Sequence, residues 1–542
     1  MFNKFSIAQP GIDIRRSIFS RNSEHKTTFN AGKLIPLYID EVLPGDTRKI
    51  DLSCVVREMT PICPVMDNSF FDTFAFFVPM RLVWSSTKNF FGENTDSYWY
   101  SQTEKTIPQI LINDEENPIQ VGSLADYLGI PTDRILNGLH VNQLPFRAYG
   151  LIWNEYFRDQ NCQAPVNVPL DDSGRYYNNY DSSDLNSFIA GKAILPVNKY
   201  HDYFTSCLPS PQKGDSVTIP LGDKANVIAS DSLHASGAIS FGSPGNLDSF
   251  TLGQNSGRLS TSGGLYSGEN YNITQTNLVA DLSNATAASI NNLRLAFAFQ
   301  RLRERDARSG TRFREYLKSH FGVSIADARV QVPEFLGGKH IPLNMNQVLQ
   351  TSQTSTNSIL GQTGAFSITT DQQYLCTKSF DEPGYIFILG CVRTDHTYQQ
   401  GIERLWSRVR LYDFYDPALA HIGEQAVLNK EIFVQGGSNL GQNNEVFGYQ
   451  EAWAEYRYKP SRTSGYMRSS VNGSLDIWHY GDDFSVKPVL NSDFMKETEV
   501  NINRTLAVPS DSTHQFLADF YIQDVATRPM PVYSVPGFMD HF

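Results

Sequence analysis

His201, Asp202 and Tyr203 precede Cys207 in the chain, and an imidazole beside a thiol is the pairing that can activate a sulfur nucleophile. The histidine and the cysteine are six residues apart, and no local periodicity places them to meet, so a structural role for His201 is expected. Asp395 and His396, and His479 with Asp482 and Asp483, offer the carboxylate and imidazole groups that ligate divalent ions. The same residues are also common turn formers, and the spacing does not choose between the two uses. No GxxxxGK[ST] or GxGxxG phosphate loop occurs; Gly436 to Gly441 (GGSNLG) lacks the lysine and a strand-to-helix context and reads as a turn. GxSxG, HExxH and EF-hand patterns are missing too. The expectation is a chain that is not an enzyme and holds neither cofactor nor metal.

Composition narrows the classes further. Lys and Arg number 45 against 57 Asp and Glu, a net charge of −12, so the surface as a whole repels phosphate except at local cationic patches. Apolar residues make up 40% of the chain and aromatics 12%, with 34 Phe and 26 Tyr, enough for a sizeable core and for rings at contacts between subunits. A length of 542 residues suits one elaborated domain with long insertions. The N-terminus lacks a secretory apolar core, and no stretch approaches the ~18 uninterrupted apolar residues of a spanning helix, so no membrane insertion is expected. Without a secretory route the sequons at Asn272, Asn284, Asn472 and Asn503 carry no weight. Cys54, Cys63, Cys162, Cys207, Cys376 and Cys391 show neither CxxC nor zinc spacing and read as reduced core residues of a cytosolically made protein.

The elements that must carry these residues alternate between strands and long excursions. Residues 1–33, with Arg15, Arg16, Arg21, His25 and Lys26 among polar neighbours and a Pro10-Gly11 break, read as an arm. Strand patterns follow at Leu34 to Asp40, at Arg48 to Met59, and at Phe70 to Val78, where the aromatic and β-branched run predicts burial on both faces. After a loop-rich connection from Gly92 to Gln143, Phe146, Tyr149, Trp153 and Tyr156 fall on one face of a predicted packed helix. Between about Leu221 and Ile290 Ser, Gly, Asn and Thr dominate, which predicts an insertion of small exposed hairpins more than a linker. A helix is predicted from Asn291 or Asn292, with Leu295, Phe299 and Leu302 as its stripe. Gly310 should interrupt it before Phe313 to His320, and Glu304, Asp306 and Glu315 should neutralise its arginines in place. Strands return at Tyr385 to Arg393 and Phe516 to Ile522, and the proline-rich Arg528 to Gly537 should lie extended. Strands early, strands late and long loops between them suit a decorated antiparallel barrel.

Phe77 to Trp84 (FVPMRLVW), Leu144 to Asn161 (LPFRAYGLIWNEYFRDQN), His201 to Gly214 (HDYFTSCLPSPQKG), Tyr412 to His421 (YDFYDPALAH), Phe447 to Lys459 (FGYQEAWAEYRYK) and Phe516 to Pro536 resemble the major capsid protein of the gokushovirus branch of the Microviridae. The resemblance leaves only Gly222 to Ile290 without a pattern. It implies a mainly β chain: an eight-stranded antiparallel viral jelly-roll barrel with long loop insertions containing some helices. Residues 1–33 would form an arm on the inner face, 34–542 the jelly-roll capsid domain, and 222–290 a protrusion near the threefold axis that contributes to host attachment. About 60 copies would close into a T=1 shell around circular single-stranded DNA. The implied partners are a small basic DNA-binding viral protein, the packaged DNA, scaffolding and pilot proteins, and a host surface receptor. The implied setting is the virion, and the host bacterial cytoplasm during synthesis and assembly. Arg15, Arg16, Arg21 and Lys26 are the expected inner-face contacts to phosphate or to neighbouring subunits. Two readings from other classes stand beside this one: a free carbohydrate-binding β-sandwich that uses exposed Trp and Tyr, and a β-rich hydrolase built around His201.

Overall fold

The computed structural model describes residues 15–93, 105–112, 119–132, 138–181, 183–215, 217, 226–229, 241–242, 252–255, 258–261, 275–276, 278–281, 290–310, 312–352, 354, 359–508 and 514–533. The Pro10-Gly11 break, the insertion residues between those short strands, and residues 534–542 lie outside the described residues. The chain forms two compact units, Met1–Pro211 with Ala307–Phe542, and Gln212–Asp306.

The first unit is mainly β. Its main strands are β1 (Ser17–Ser20), β2 (Ser23–Phe29), β3 (Ile35–Val42), β4 (Thr47–Glu58), β5 (Ser69–Pro79), β6 (Glu334–Pro342), β7 (Thr369–Ser379), β8 (Gly384–Thr394) and β9 (Phe516–Arg528). They build two antiparallel sheets. In one, β1 and β2 both pair with β9, which pairs with β4, and β4 with β7; in the other the order is β6, β5, β8, β3.

Side-chain alternation explains how the two sheets differ. Along β4, Ile50, Leu52, Cys54 and Val56 are buried while Lys49, Val55 and Arg57 are exposed. β9 alternates in the same way, so the first sheet keeps one face in water. β5 and β8 are buried along nearly their whole length because both of their faces are covered. Phe71, Ala75, Phe77, Ile386, Ile388 and Val392 point into a core shared with the first sheet, where Phe71 stacks on Phe520 at 5.6 Å. Phe76, Val78, Tyr385, Phe387, Leu389 and Cys391 join a second core on the other side.

That second core is capped by helix α1 (Leu144–Ile152), which continues as a π turn over Trp153–Phe157. The predicted aromatic face is present: Phe146, Tyr149 and Trp153 are fully buried, each worth about 1.5–3 kcal/mol of transfer free energy. Polar ends find partners, as buried groups must. The Tyr149 hydroxyl donates to the Leu34 carbonyl at 2.7 Å, and the Trp153 indole donates to the Pro196 carbonyl at 2.7 Å. The wider π turn brings Tyr156 to 4.7 Å from Phe76 and Phe157 to 5.1 Å from Phe74.

Several elements depart from the sequence pattern. The stretch read as an arm runs from Ser17 as β1 and β2, hydrogen-bonded to β9, with Phe29 as its buried anchor. β6 carries no strand pattern in the sequence because Gly337 and Gly338 interrupt it. A Cβ on Gly337 would lie 2.2 Å from the Leu375 carbonyl oxygen, so glycine lets β6 and β7 approach backbone to backbone. The expected helices are present at Ile290–Ser309 and Phe313–Phe321, separated by Gly310 at φ +88°. In the second unit, Asn226–Ala229 pairs with Leu278–Asp281, Phe241–Gly242 with Gln275–Thr276, and Leu252–Asn255 with Arg258–Thr261, all antiparallel, so the hairpins expected there are short and nested.

All six cysteines are free; five are buried and Cys162 is partly so. Burial pushes the Cys54 and Cys376 thiols up to about 11, which keeps them protonated at neutral pH.

Candidate functional site

The four cations singled out in the sequence meet different fates. Arg15 and Arg16 are exposed just before β1, and Arg16 donates to Thr47 Oγ1 at 2.5 Å and to the Thr527 carbonyl at 3.3 Å. Lys26, 66% exposed, sits 2.7 Å from Glu24 and 3.5 Å from Asp519. Arg21 is drawn into the protein, where it binds both carboxylate oxygens of Asp40 and lies 3.8 Å from Asp524. Around it Arg48, with no exposure, binds Asp524 through Nε at 2.9 Å and through Nη2, and Asp40 at 2.5 Å; Arg528 reaches Asp46 at 3.0 Å. The Tyr38 hydroxyl donates to Asp524 at 3.0 Å. Burial alone would raise the Asp40 carboxyl, but Arg21 and Arg48 outweigh it and hold it below the usual carboxylate range.

The His201 and Cys207 pair does not assemble into a nucleophile. His201 is exposed, while Cys207 is buried with its sulfur 3.4 Å from the Tyr203 carbonyl, and burial pushes its thiol far up. Asp202 is a turn former here: it accepts from the Phe204 and Thr205 amides at 3.0 and 2.8 Å and from the Tyr398 hydroxyl.

Of the carboxylate and imidazole residues, the fold brings His396 and Asp482 together and leaves His479 apart. His396 Nδ1 lies 2.9 Å from Asp482 and Nε2 2.9 Å from Glu497, with the ring 2% exposed. Lys199 is 3.4 Å from Asp482, and Asn501 donates to its other oxygen at 2.8 Å. Burial opposes a charged ring, but Asp482 and then Glu497 more than offset it, raising His396 to about 10. Both ring nitrogens are thus committed as donors in an ion clasp. His479 uses Nε2 on the Met467 carbonyl at 2.7 Å, while Nδ1 accepts from the Gly481 amide at 2.9 Å. Among the described residues no three His, Cys, Asp or Glu side chains are grouped to hold a metal ion, and no helix is long and apolar enough to cross a membrane.

Glu58, at the end of β4, is buried, and the Tyr480 hydroxyl donates to its Oε2 at 3.5 Å. Burial raises its carboxyl to about 8 from 4.5. Because the folded state holds the proton more tightly, the associated stability is fully present below pH 4.5 and is lost as pH rises toward 8. Glu58→Gln should flatten the stability profile across that window and raise stability at pH 8 by roughly 1–3 kcal/mol, measured by urea unfolding. An unchanged profile would remove Glu58 as its source.

The largest feature that sequence reasoning missed is an apolar surface. Trp406 is 73% exposed, Val409 87%, Leu411 79% and Tyr412 77%. They crowd into one segment held by two single 3-10 turns, Arg404–Ser407 and Leu411–Asp413. Four large apolar side chains this exposed within one short segment are unusual on a surface that meets only water. The signal available in the sequence was LWSRVRLYDFY, residues 405–415, in which apolar and cationic residues alternate with only Ser407 and Asp413 as turn formers.

Comparisons with known proteins converge. A family model described as capsid protein (F protein) matches residues 8–538. Over 527 residues the chain is 44% identical to the capsid protein VP1 of Spiroplasma virus 4, covering 95% of this chain and 94% of that one. It is 39% identical over 549 residues to the capsid protein VP1 of Bdellovibrio phage phiMH2K, covering 100% and 99%. With the capsid protein VP1 of Chlamydia phage 1 it shares 37% identity over 594 residues, covering 99% and 98%.

Proposed function

Because the chain belongs to the capsid protein (F protein) family, we propose that it is the major structural subunit of a T=1 icosahedral shell, about 60 copies related by closed symmetry, enclosing circular single-stranded DNA. The resemblance carried by the aromatic motifs and the full-length matches agree on a phage capsid protein. One observation carries the finer reading. The strand orders β2-β9-β4-β7 and β6-β5-β8-β3, packed over one core, support reading them as the two four-stranded sheets of an eight-stranded viral jelly roll, with β1 as an extension beside β2. On this reading the chain performs no catalysis, and its role is to associate with itself.

The solvent face of the first sheet supports a DNA-facing role. Arg57 and Tyr374, 61% exposed, lie there with Lys26 and Lys49, whose charges are shared with Glu24, Asp519 and Asp51, so the cation and ring that suit single-stranded nucleic acid stand among carboxylates. Arg15, Arg16 and Lys26 would meet phosphate, and Arg21, bound to Asp40, would hold the segment on which they stand. The net charge of −12 leaves most neutralisation of the DNA to a small basic viral protein. The 222–290 insertion would form the threefold protrusion and contact the host receptor, and scaffolding and pilot proteins would attend assembly.

Sedimentation and negative-stain microscopy of the chain made in bacterial cytosol, alone and with viral partners, should give closed spherical particles. A persistent monomer or small oligomer in both cases would reject the shell. Replacing Arg15, Arg16 and Lys26 with Ala should lower the DNA content of particles and flatten the slope of log affinity for single strands against log salt by about 2. Unchanged DNA content and slope would remove the three from the interior contacts.

A further inference from the structure

At the segment Leu405 to Tyr415, Arg404 and Arg408 are turned inward, while Arg410 and most of the large apolar side chains are outside. Arg404, 14% exposed, donates to the Ala426 carbonyl and lies 3.2 Å from Glu431. Arg408, 11% exposed, donates to the Tyr456 hydroxyl, pairs with Glu455 at 3.2 Å, and stacks 4.4 Å from the Tyr456 ring and 5.3 Å from that of Phe414. Asp413 accepts from the Val409 and Arg410 amides, each at 2.7 Å, which pins the tip. Trp406, Val409, Leu411 and Tyr412 are the most exposed apolar side chains of the segment, with Leu405, Phe414 and Tyr415 about half exposed beside them. Water selects the opposite arrangement, so the loop is built at a cost that only a partner recovers. Its backbone is tied down beforehand, which lowers the entropy lost on docking.

From this arrangement we infer that the 405–415 loop is a knob that docks on a second copy of this chain, burying Trp406, Val409, Leu411 and Tyr412. The inference rests on the self-associating reading above. The aliphatic tip at Val409 and Leu411 has nothing to gain from a sugar-phosphate strand and points to protein. Charge supports a copy of the chain itself: the knob is flanked by exposed Arg410 and by Lys459 and Arg462, 70% and 69% exposed, which share the single carboxylate of Glu403, whereas the chain carries −12 overall. Beside Trp406 a cleft of about 390 Å³, reaching Tyr398, Glu403 and Arg468, offers room for a side chain of the docked copy.

The test uses the full chain under conditions in which the wild type assembles. Val409→Asp and Tyr412→Ala should leave the circular dichroism and the unfolding midpoint of the free subunit unchanged, because both side chains are outside, and lower the yield of sedimenting particles at least tenfold. A photo-reactive phenylalanine at position 412 should cross-link in particles to a second copy of this chain, identified by mass spectrometry. Full particle yield from both variants, or cross-links that run only to DNA or to another viral protein, overturns the knob and leaves the shell reading standing. Failure of the wild type to assemble with any partner overturns both.

Discussion

Asp524→Asn should cost the free subunit about 3–5 kcal/mol of folding stability, because it leaves Arg48 charged and enclosed without its main counter-ion. Arg21, Arg48 and Arg528 face Asp40, Asp46 and Asp524, so the cluster is balanced three against three, and Arg48, Asp46 and Asp524 have no exposure. Burial works against the Arg48 charge, yet Asp524 and then Asp40 raise its affinity for the proton above that of a free guanidinium. The change also takes a charged acceptor from the Tyr38 hydroxyl. The cluster ties β3 and β4 to the far end of β9 and to the β1–β2 corner, so the loss should loosen the edge of the first sheet. Urea unfolding of Asp524→Asn, Arg48→Met and the double variant Arg48→Met with Asp524→Asn provides the check. The double variant should cost much less than the sum of the single changes, since no charge is then stranded. Strict additivity would show that the pair does not act as a unit.

His396→Gln should cost a comparable amount near neutral pH, about 3–5 kcal/mol, because Asp482 and Glu497 would face each other without the imidazolium between them. The clasp joins the end of β8 to residues 479–484 and 494–501, and the Lys199 ammonium leans on Asp482 from a fourth segment. Its pH dependence has a definite sign. The His396 value is raised from 6.5 to about 10, so its contribution is complete below pH 6.5 and disappears as pH rises through 10. Asp482 is depressed below 3.8, because His396 and then Lys199 outweigh the effect of burial, so its contribution is present above that pH and is lost in stronger acid. The stability gap between wild type and His396→Gln should therefore be widest between about pH 4 and 6.5 and shrink toward pH 10. Unfolding midpoints of both chains across this range decide the matter; a gap constant with pH would show that the ring is neutral in the folded chain.

Residues that alternate or run apolar announced themselves. Leu34 to Asp40, Arg48 to Met59, Phe70 to Val78 and Tyr385 to Arg393 all became strands within a few residues of the expected bounds, Phe516 to Ile522 became a strand that continues to Arg528, and the aromatic face of α1 packed as its spacing required. β2 did not, because SEHKTTF contains one strong core residue, Phe29, and its other positions are satisfied by pairing with β9. β7, with TTDQQYLCTKS, was hidden for the same reason, and β6 by its two glycines. Polar strands are made by their neighbours' hydrogen bonds, and no local pattern records a neighbour.

The sites divide along the same line. His396 and Asp482 were recognisable as a pair of chemical types, yet whether they ligate or clasp depended on Glu497, a hundred residues further on. Arg21 looked like its exposed companions until Asp40 and Asp524 closed around it. Trp406, Val409, Leu411 and Tyr412 carry no mark of exposure in sequence, since the same residues would suit a core; the buried Arg408 and the Asp413 turn put them outside. By itself the sequence determined the family, the acidic balance and the β-rich core, because composition, motif and periodicity are written residue by residue. Which charges are paired inside and which rings face water was decided only by the tertiary structure, because both depend on partners that are distant along the chain.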